Sequence, residues 1–150
     1  NFFVRFHMEV LPVKTWEEKK GFFLPWGTNC VICPFAETLQ HTFLYCTNAE
    51  LFWAQLRAEA GISLYPTWHS MKFLDVGKQQ HSLSLEILTL IGLHAIRSSR
   101  TDHTLVREGG QPAWRYLIQG INYVTSLVKE IEFPESDFWE TLKSRLKITR

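Results

Sequence analysis

All three cysteines of this chain fall in one short run, Cys30-x2-Cys33-x7-His41-x4-Cys46. Two residues between the first pair form a tight knuckle that aims both sulfurs at one point. His41 and Cys46 then complete four soft donors, the set that a tetrahedral structural Zn2+ site needs. A closed set of four ligands leaves no open position for water, so one zinc ion is expected to hold shape rather than to catalyse. Structural zinc contributes about 10–16 kcal/mol of apparent binding free energy. That rivals the stability of a whole domain, so residues 22–48 are expected to lose order without metal. The competing reading is three thiols buried as small apolar groups.

The remaining sequence must supply the body that carries this lobe. At 150 residues it reads as a single domain, 1–150, with the zinc lobe at about 22–48. A chain of this length buries roughly 70% of its unfolded surface, enough for a substantial core. A 45% hydrophobic and 21% charged composition is globular. Six tryptophans suit a bulky core or a stacking surface, with the core favoured. The odd number of cysteines argues against a secreted disulfide framework, and a Cys3His set closes the count inside a reducing compartment. No run approaches a membrane span and no signal-peptide pattern opens the chain. It opens on Asn1 rather than Met, which reads as a piece of a longer polypeptide.

The apolar spacing is helical nearly throughout. Residues 2–10 place Phe2, Phe3, Phe6 and Val10 on one face, and Leu11-Pro12 breaks the run. A helix over 12–20, with Pro12 in its first turn and Trp16 inward, stops at Gly21. Residues 22–36 read as loop. A short helix over 38–45 presents His41. A helix over 49–60 follows, capped by Thr47 or Asn48, closed by Gly61, with Leu51, Phe52, Leu56 and Ala60 inward and Trp53 on the flank. Residues 61–81 read as an irregular connection with an extended piece at 72–76. Ser82 caps a central buried helix over 83–100, apolar nearly all round. Gly109-Gly110 turn the chain into an amphipathic helix over 111–132, with Trp114, Leu117, Ile118, Ile121, Val124, Val128 and Ile131 inward. Pro134 ends it before a last helix over 135–147. The expected fold class is therefore all-α, a helical bundle with a small irregular zinc-stapled lobe.

Other chemistry is sparse. There is no G-x-S-x-G elbow, phosphate-cradling glycine loop, H-E-x-x-H or paired-aspartate motif, so the chain is not expected to be an enzyme and no small-molecule substrate is implied. Glu17 and Glu18, beside lysines, read as a solvated face. Glu37 either orients a ligand from behind or serves the helix start with Thr38. Of His7, His69, His81, His94 and His103, His94 reads as a core histidine. Two basic patches are candidates for phosphate: Arg97, Arg100, Arg107 and Arg115 with His94 and His103, and the tail Lys143, Arg145, Lys147 and Arg150. Net charge is only +1, short of a dedicated nucleic-acid binder. Phe22, Phe23, Trp26 and Phe35 either stack on bases or, as the favoured reading, form an apolar core around the metal.

Several of these residues carry a resemblance. Leu11-Pro12-Val13-Lys14-Thr15-Trp16, Cys30-x2-Cys33-Pro34, Glu37-Thr38-x2-His41-x-Phe43-x2-Cys46 and Trp53 resemble the CCHC zinc-binding domain of non-LTR retrotransposon reverse transcriptases. Leu90-Ile91-Gly92-Leu93-His94-x-Ile96-x3-Arg100 is similar to the helix after that module. The likeness covers residues 3–60 well, 83–105 moderately and 110–150 weakly. It implies Cys30, Cys33, His41 and Cys46 as ligands and a region that engages template RNA or target DNA, nuclear rather than cytoplasmic. The polymerase and endonuclease parts are absent. Two functions follow as expectations. One is a non-catalytic nucleic-acid module of a retroelement reverse transcriptase. The other is a domesticated protein–protein scaffold within a larger complex.

Overall fold

The computed structural model describes residues 2–25, 27–104 and 112–148, residues 102–104 by their backbone alone. The regular elements among them are helical: α1 (Phe2–His7), α2 (Lys14–Lys19), a π-helical turn π1 (His41–Tyr45), α3 (Thr47–Ala60), α4 (Trp68–Phe73), α5 (Ser82–Thr104), α6 (Ala113–Glu130) and α7 (Ser136–Arg145). Only Asn29 and Ala36 pair as an isolated antiparallel bridge among these residues. The architecture is all-α with a small irregular Cys/His lobe, as the periodicity predicts. No helix among the described residues is long and apolar enough to cross a membrane. The expected Gly109-Gly110 turn lies outside the described residues.

Helix ends follow local chemistry where the signal is local. Gly61 takes the left-handed conformation (φ 66°) and donates its N–H to Arg57 O at 2.9 Å, closing α3. The helix expected over 2–10 ends instead at His7, and Glu9 adopts φ 58°. Pro12 stands just outside α2, because the extended Val13 occupies the N-cap. The extended piece expected at 72–76 is replaced by α4. Thr67 and Ser70 form a reciprocal capping box there, with Thr67 Oγ1 accepting from Ser70 N and Ser70 Oγ from Thr67 N.

The start of α5 is decided by tertiary contact. Ser82 Oγ is turned back onto the carbonyls of Gly77 and Gln79. The free N–H of Ser84 is met instead by Glu135 Oε1, 3.1 Å away in the α6–α7 connection. A carboxylate here also complements the helix dipole. Ser84 Oγ then accepts the indole N–H of the fully buried Trp139 at 3.1 Å. Thr89, also fully buried, satisfies its hydroxyl on Leu85 O.

α5 and α6 run antiparallel, with Gly120 against Ile91 and Ala113–Trp114 beside Ile96 and Arg100. Phe6, Phe43, Leu56, Met71, Leu88, Leu93, Leu117, Ile121 and Trp139 are buried in one contiguous cluster. α1 docks by its rings: Phe6 stands edge-on to Phe43 at 5.1 Å and to Trp68 at 5.5 Å. Several apolar expectations change place, and Val10, past the end of α1, is exposed. Trp53 is buried and Leu51 is exposed, because α3 packs against Gly92 of α5 through its Phe52–Trp53 edge. Ile131 lies past the last turn of α6 and is exposed.

Candidate metal centre

The four donors come from two pieces of chain. Residues 28–37 fold back on themselves, with Cys30 N donating to Phe35 O at 2.7 Å and Glu37 N to Thr28 O at 2.8 Å. At the tip, Ile32 N donates to Cys30 Sγ at 3.4 Å, the knuckle geometry that the Cys-x2-Cys spacing implies. His41 opens π1 and Cys46 caps its end, where an ordinary short helix was expected. On an α-helix, residues five apart point about 140° away from each other. The wider i→i+5 turn, closed by Cys46 N on His41 O at 2.6 Å, narrows that angle. Thr38 Oγ1 accepts from His41 N at 3.0 Å and holds the histidine's entry into the turn. Trp53 Nε1 donates to Phe43 O at 3.0 Å, so the core grips the middle of π1.

The ligand atoms of Cys30, Cys33, His41 and Cys46 all lie within 4.8 Å of one another, and all four residues are buried. Cys46 Sγ is 3.9 Å from Cys30 Sγ and 3.7 Å from Cys33 Sγ. A tetrahedral ion with metal–sulfur bonds of about 2.3 Å sets an edge of about 3.8 Å between sulfurs. A disulfide would need about 2.05 Å, and the three cysteines are free. His41 Nε2 is buried without a hydrogen-bond partner, an orphaned polar atom that a metal would satisfy. The residues present thus fit one metal ion bound as a structural group.

The electrostatics of the donors are uneven. Burial pushes the Cys30 thiol up, but the N–H of Ile32, the Arg100 guanidinium and further donors outweigh it and hold the group at about 6. Burial raises Cys46 to about 11, aided by the neighbouring Cys33 and Cys30 sulfurs. One donor is therefore a ready thiolate, while the other keeps its proton until a cation displaces it.

Arg100 is the main correction to the expected basic patch. It is 9% exposed rather than facing solvent. Its Nη1 donates to Cys30 Sγ at 3.3 Å and lies 3.7 Å from Cys46 Sγ. Its Nη2 donates to Glu37 Oε2 at 2.5 Å. Glu37 touches no ligand directly among the described contacts. It accepts Lys14 N on Oε1 at 2.9 Å, and its carbonyl accepts Thr15 Oγ1 at 2.9 Å. Lys14, itself buried, donates Nζ to Asn29 O at 2.8 Å. Nothing local in the sequence marks this layer, since Arg100 lies 70 residues from Cys30.

Of the other expected cations, Arg97 is half-buried, and burial lowers its pKa, with a further small push from Arg5 across the chain. Arg5, exposed on α1, is a cation that the linear patches missed. Arg115 and Lys147 are exposed and Lys143 is half-buried, while Arg145 donates Nη1 to Ala60 O at 3.1 Å. Arg107, Arg150, Trp26 and the side chain of His103 lie outside the described residues. His94 is exposed, edge-on to Phe2, and not a core histidine. His7, His69 and His81 pair with Lys72 O, Asp75 and Asp137 respectively. Glu17 is half-buried and Glu18 exposed. The aromatic core expected around the metal does not form: Phe22, Phe23 and Phe35 are exposed, Phe23 at 86%. Of these, Phe35 keeps a ring contact at the site, 6.1 Å from the His41 imidazole.

The fold and site together define an all-α protein with a closed Cys3His donor set for one metal ion. No family model, curated protein or solved structure matches the chain.

Proposed function

We propose that this chain is a non-catalytic, zinc-holding module of a retroelement-type reverse transcriptase polypeptide, engaging template RNA or target DNA. The observation that carries the reading is four buried donors at tetrahedral spacing, in the run of residues that resembles the reverse transcriptase CCHC domain. Thiolate and imidazole donors favour zinc over hard cations such as Mg2+. Thiolate ligation suits a reducing, intracellular compartment, and nucleic-acid engagement a nuclear one. Phosphate contact falls to the exposed cations Arg5 on α1, Arg115 on α6 and Lys147 at the chain's end, with the half-buried Arg97 in charge range of Arg5 and the half-buried Lys143 beside Lys147 in sequence. About three phosphate contacts give a salt slope near −2.7, a weakening of about 40-fold between 50 and 200 mM salt. Fluorescence anisotropy with RNA and with DNA at both salt concentrations tests this. R115Q and K147Q should each flatten the slope. No binding at 50 mM salt discards the reading.

A second reading, a domesticated protein–protein scaffold, is favoured by the exposed apolar side chains Val31, Ile32 and Phe35 of the knuckle. It expects salt-insensitive association through these side chains, lost in F35S and measured by sedimentation, together with no affinity for nucleic acid.

A further inference from the structure

We propose that Arg100 is the positioning cation of the metal centre: it spans the Cys30–Cys46 edge, sets a positive charge directly against those two thiolates and ties the lobe to α5. The inference rests on the reading of Cys30, Cys33, His41 and Cys46 as ligands of one zinc ion. Three thiolates, a neutral imidazole and a divalent ion carry a net charge of −1, and all four ligands are buried. A buried charge is costly unless it is paired.

Arg100 meets that need with directional contacts. Nη1 reaches two sulfurs, at 3.3 Å and 3.7 Å, while Nη2 is held by Glu37. Glu37 cannot swing away, because the Lys14 N–H binds its other carboxylate oxygen and Thr15 binds its carbonyl. The planar fork of guanidinium serves both partners at once, which the single ammonium of lysine does not.

The arrangement is asymmetric. Arg100 approaches Cys30 and Cys46, whereas the polar neighbour of Cys33 is Thr47 Oγ1 at 3.6 Å. A guanidinium withdraws more electron density from a thiolate than the neutral hydroxyl beside Cys33 does, so Cys33 is the most nucleophilic sulfur of the loaded centre. The contact is also mechanical. About 24 Å of helix separates Ser84, bound to Trp139, from Arg100 at the metal. α5 thus links the packing of α7 to the ligands.

The test uses the zinc-loaded full chain as wild type, R100K and R100M/E37Q. The double substitution removes the cation without stranding the Glu37 charge. Zinc stoichiometry is measured first, and a wild type that holds no zinc overturns the metal reading itself. With zinc bound, R100M/E37Q should lose 10–100-fold in zinc affinity by chelator competition, and R100K should recover part of it. Substituted with Co2+, the double variant should show a shifted sulfur-to-metal charge-transfer band. N-ethylmaleimide should modify Cys33 first in wild type and lose that order in the variant. A variant that is merely less stable would expose all three thiols alike. Should R100M/E37Q not fold, R100K alone decides, by its affinity and its order of modification. Wild-type affinity together with an unchanged order of cysteine modification overturns the role of Arg100.

Discussion

Gly92 sits inside α5, where helix propensity alone says that alanine should stabilise by about 0.8–1 kcal/mol. The packing says the opposite. A Cβ at position 92 would lie 2.5 Å from Trp53 Cη2, 2.7 Å from Trp53 Cζ3 and 3.3 Å from Phe52 Cε1. Ordinary carbon contacts are about 3.5–4.0 Å, so the indole must retreat by about 1 Å. Trp53 is buried and anchored by its hydrogen bond to Phe43 O, so the retreat strains the core or breaks that bond. Overpacking costs about 1–3 kcal/mol and the lost hydrogen bond about 1 kcal/mol. Set against the propensity gain, G92A should destabilise by about 1–3 kcal/mol, read by urea denaturation of the metal-loaded chain at constant m. Because Phe43 lies in π1 between His41 and Cys46, the same variant should release metal faster to a chelator. A midpoint that rises, or metal release that does not change, would refute the reasoning.

Three other outcomes are expected. Chelating the metal should abolish hydrogen-exchange protection over residues 28–46 before that of α5 and α6, because metal binding contributes about 10–16 kcal/mol to that lobe; protection that persists without metal would show the lobe to be self-supporting. Metal affinity should climb with pH. The bound ion needs the Cys46 thiolate, and burial holds that thiol near 11, so one proton must leave and affinity gains about tenfold per unit between about pH 7 and 9 on this group alone. A flat profile in titrations with a zinc-buffering chelator would contradict this. E135A should lower stability by about 1 kcal/mol through the uncapped Ser84 N–H, with helix content nearly unchanged by circular dichroism; an unaltered midpoint would mean that water replaces the carboxylate without loss.

Local spacing makes much of this protein legible in its sequence. A Cys-x2-Cys knuckle brings two sulfurs together through the backbone between them, and Gly61 ends α3 because the left-handed conformation costs glycine little. The apolar period placed α5, α6 and α7 to within a few residues, since each helix shows its buried face every three to four positions. α4 carried its own signal in Thr67 and Ser70, which the glycines and prolines around it obscured. Partners far apart in the chain had no such local trace. That Arg100 turns inward to the sulfurs depends on how α5 crosses the lobe, and the same residue on a free helix would face water. Glu135 capping Ser84, Gly92 yielding to Trp53, and the outward Phe23 and Phe35 are likewise consequences of packing, settled by which groups meet when the chain closes. The amino-acid sequence by itself determined the donor set and the helical periods, because both live within a turn or two of backbone. Only the tertiary structure decided which charge serves the metal, because that choice depends on contacts between residues more than fifty positions apart.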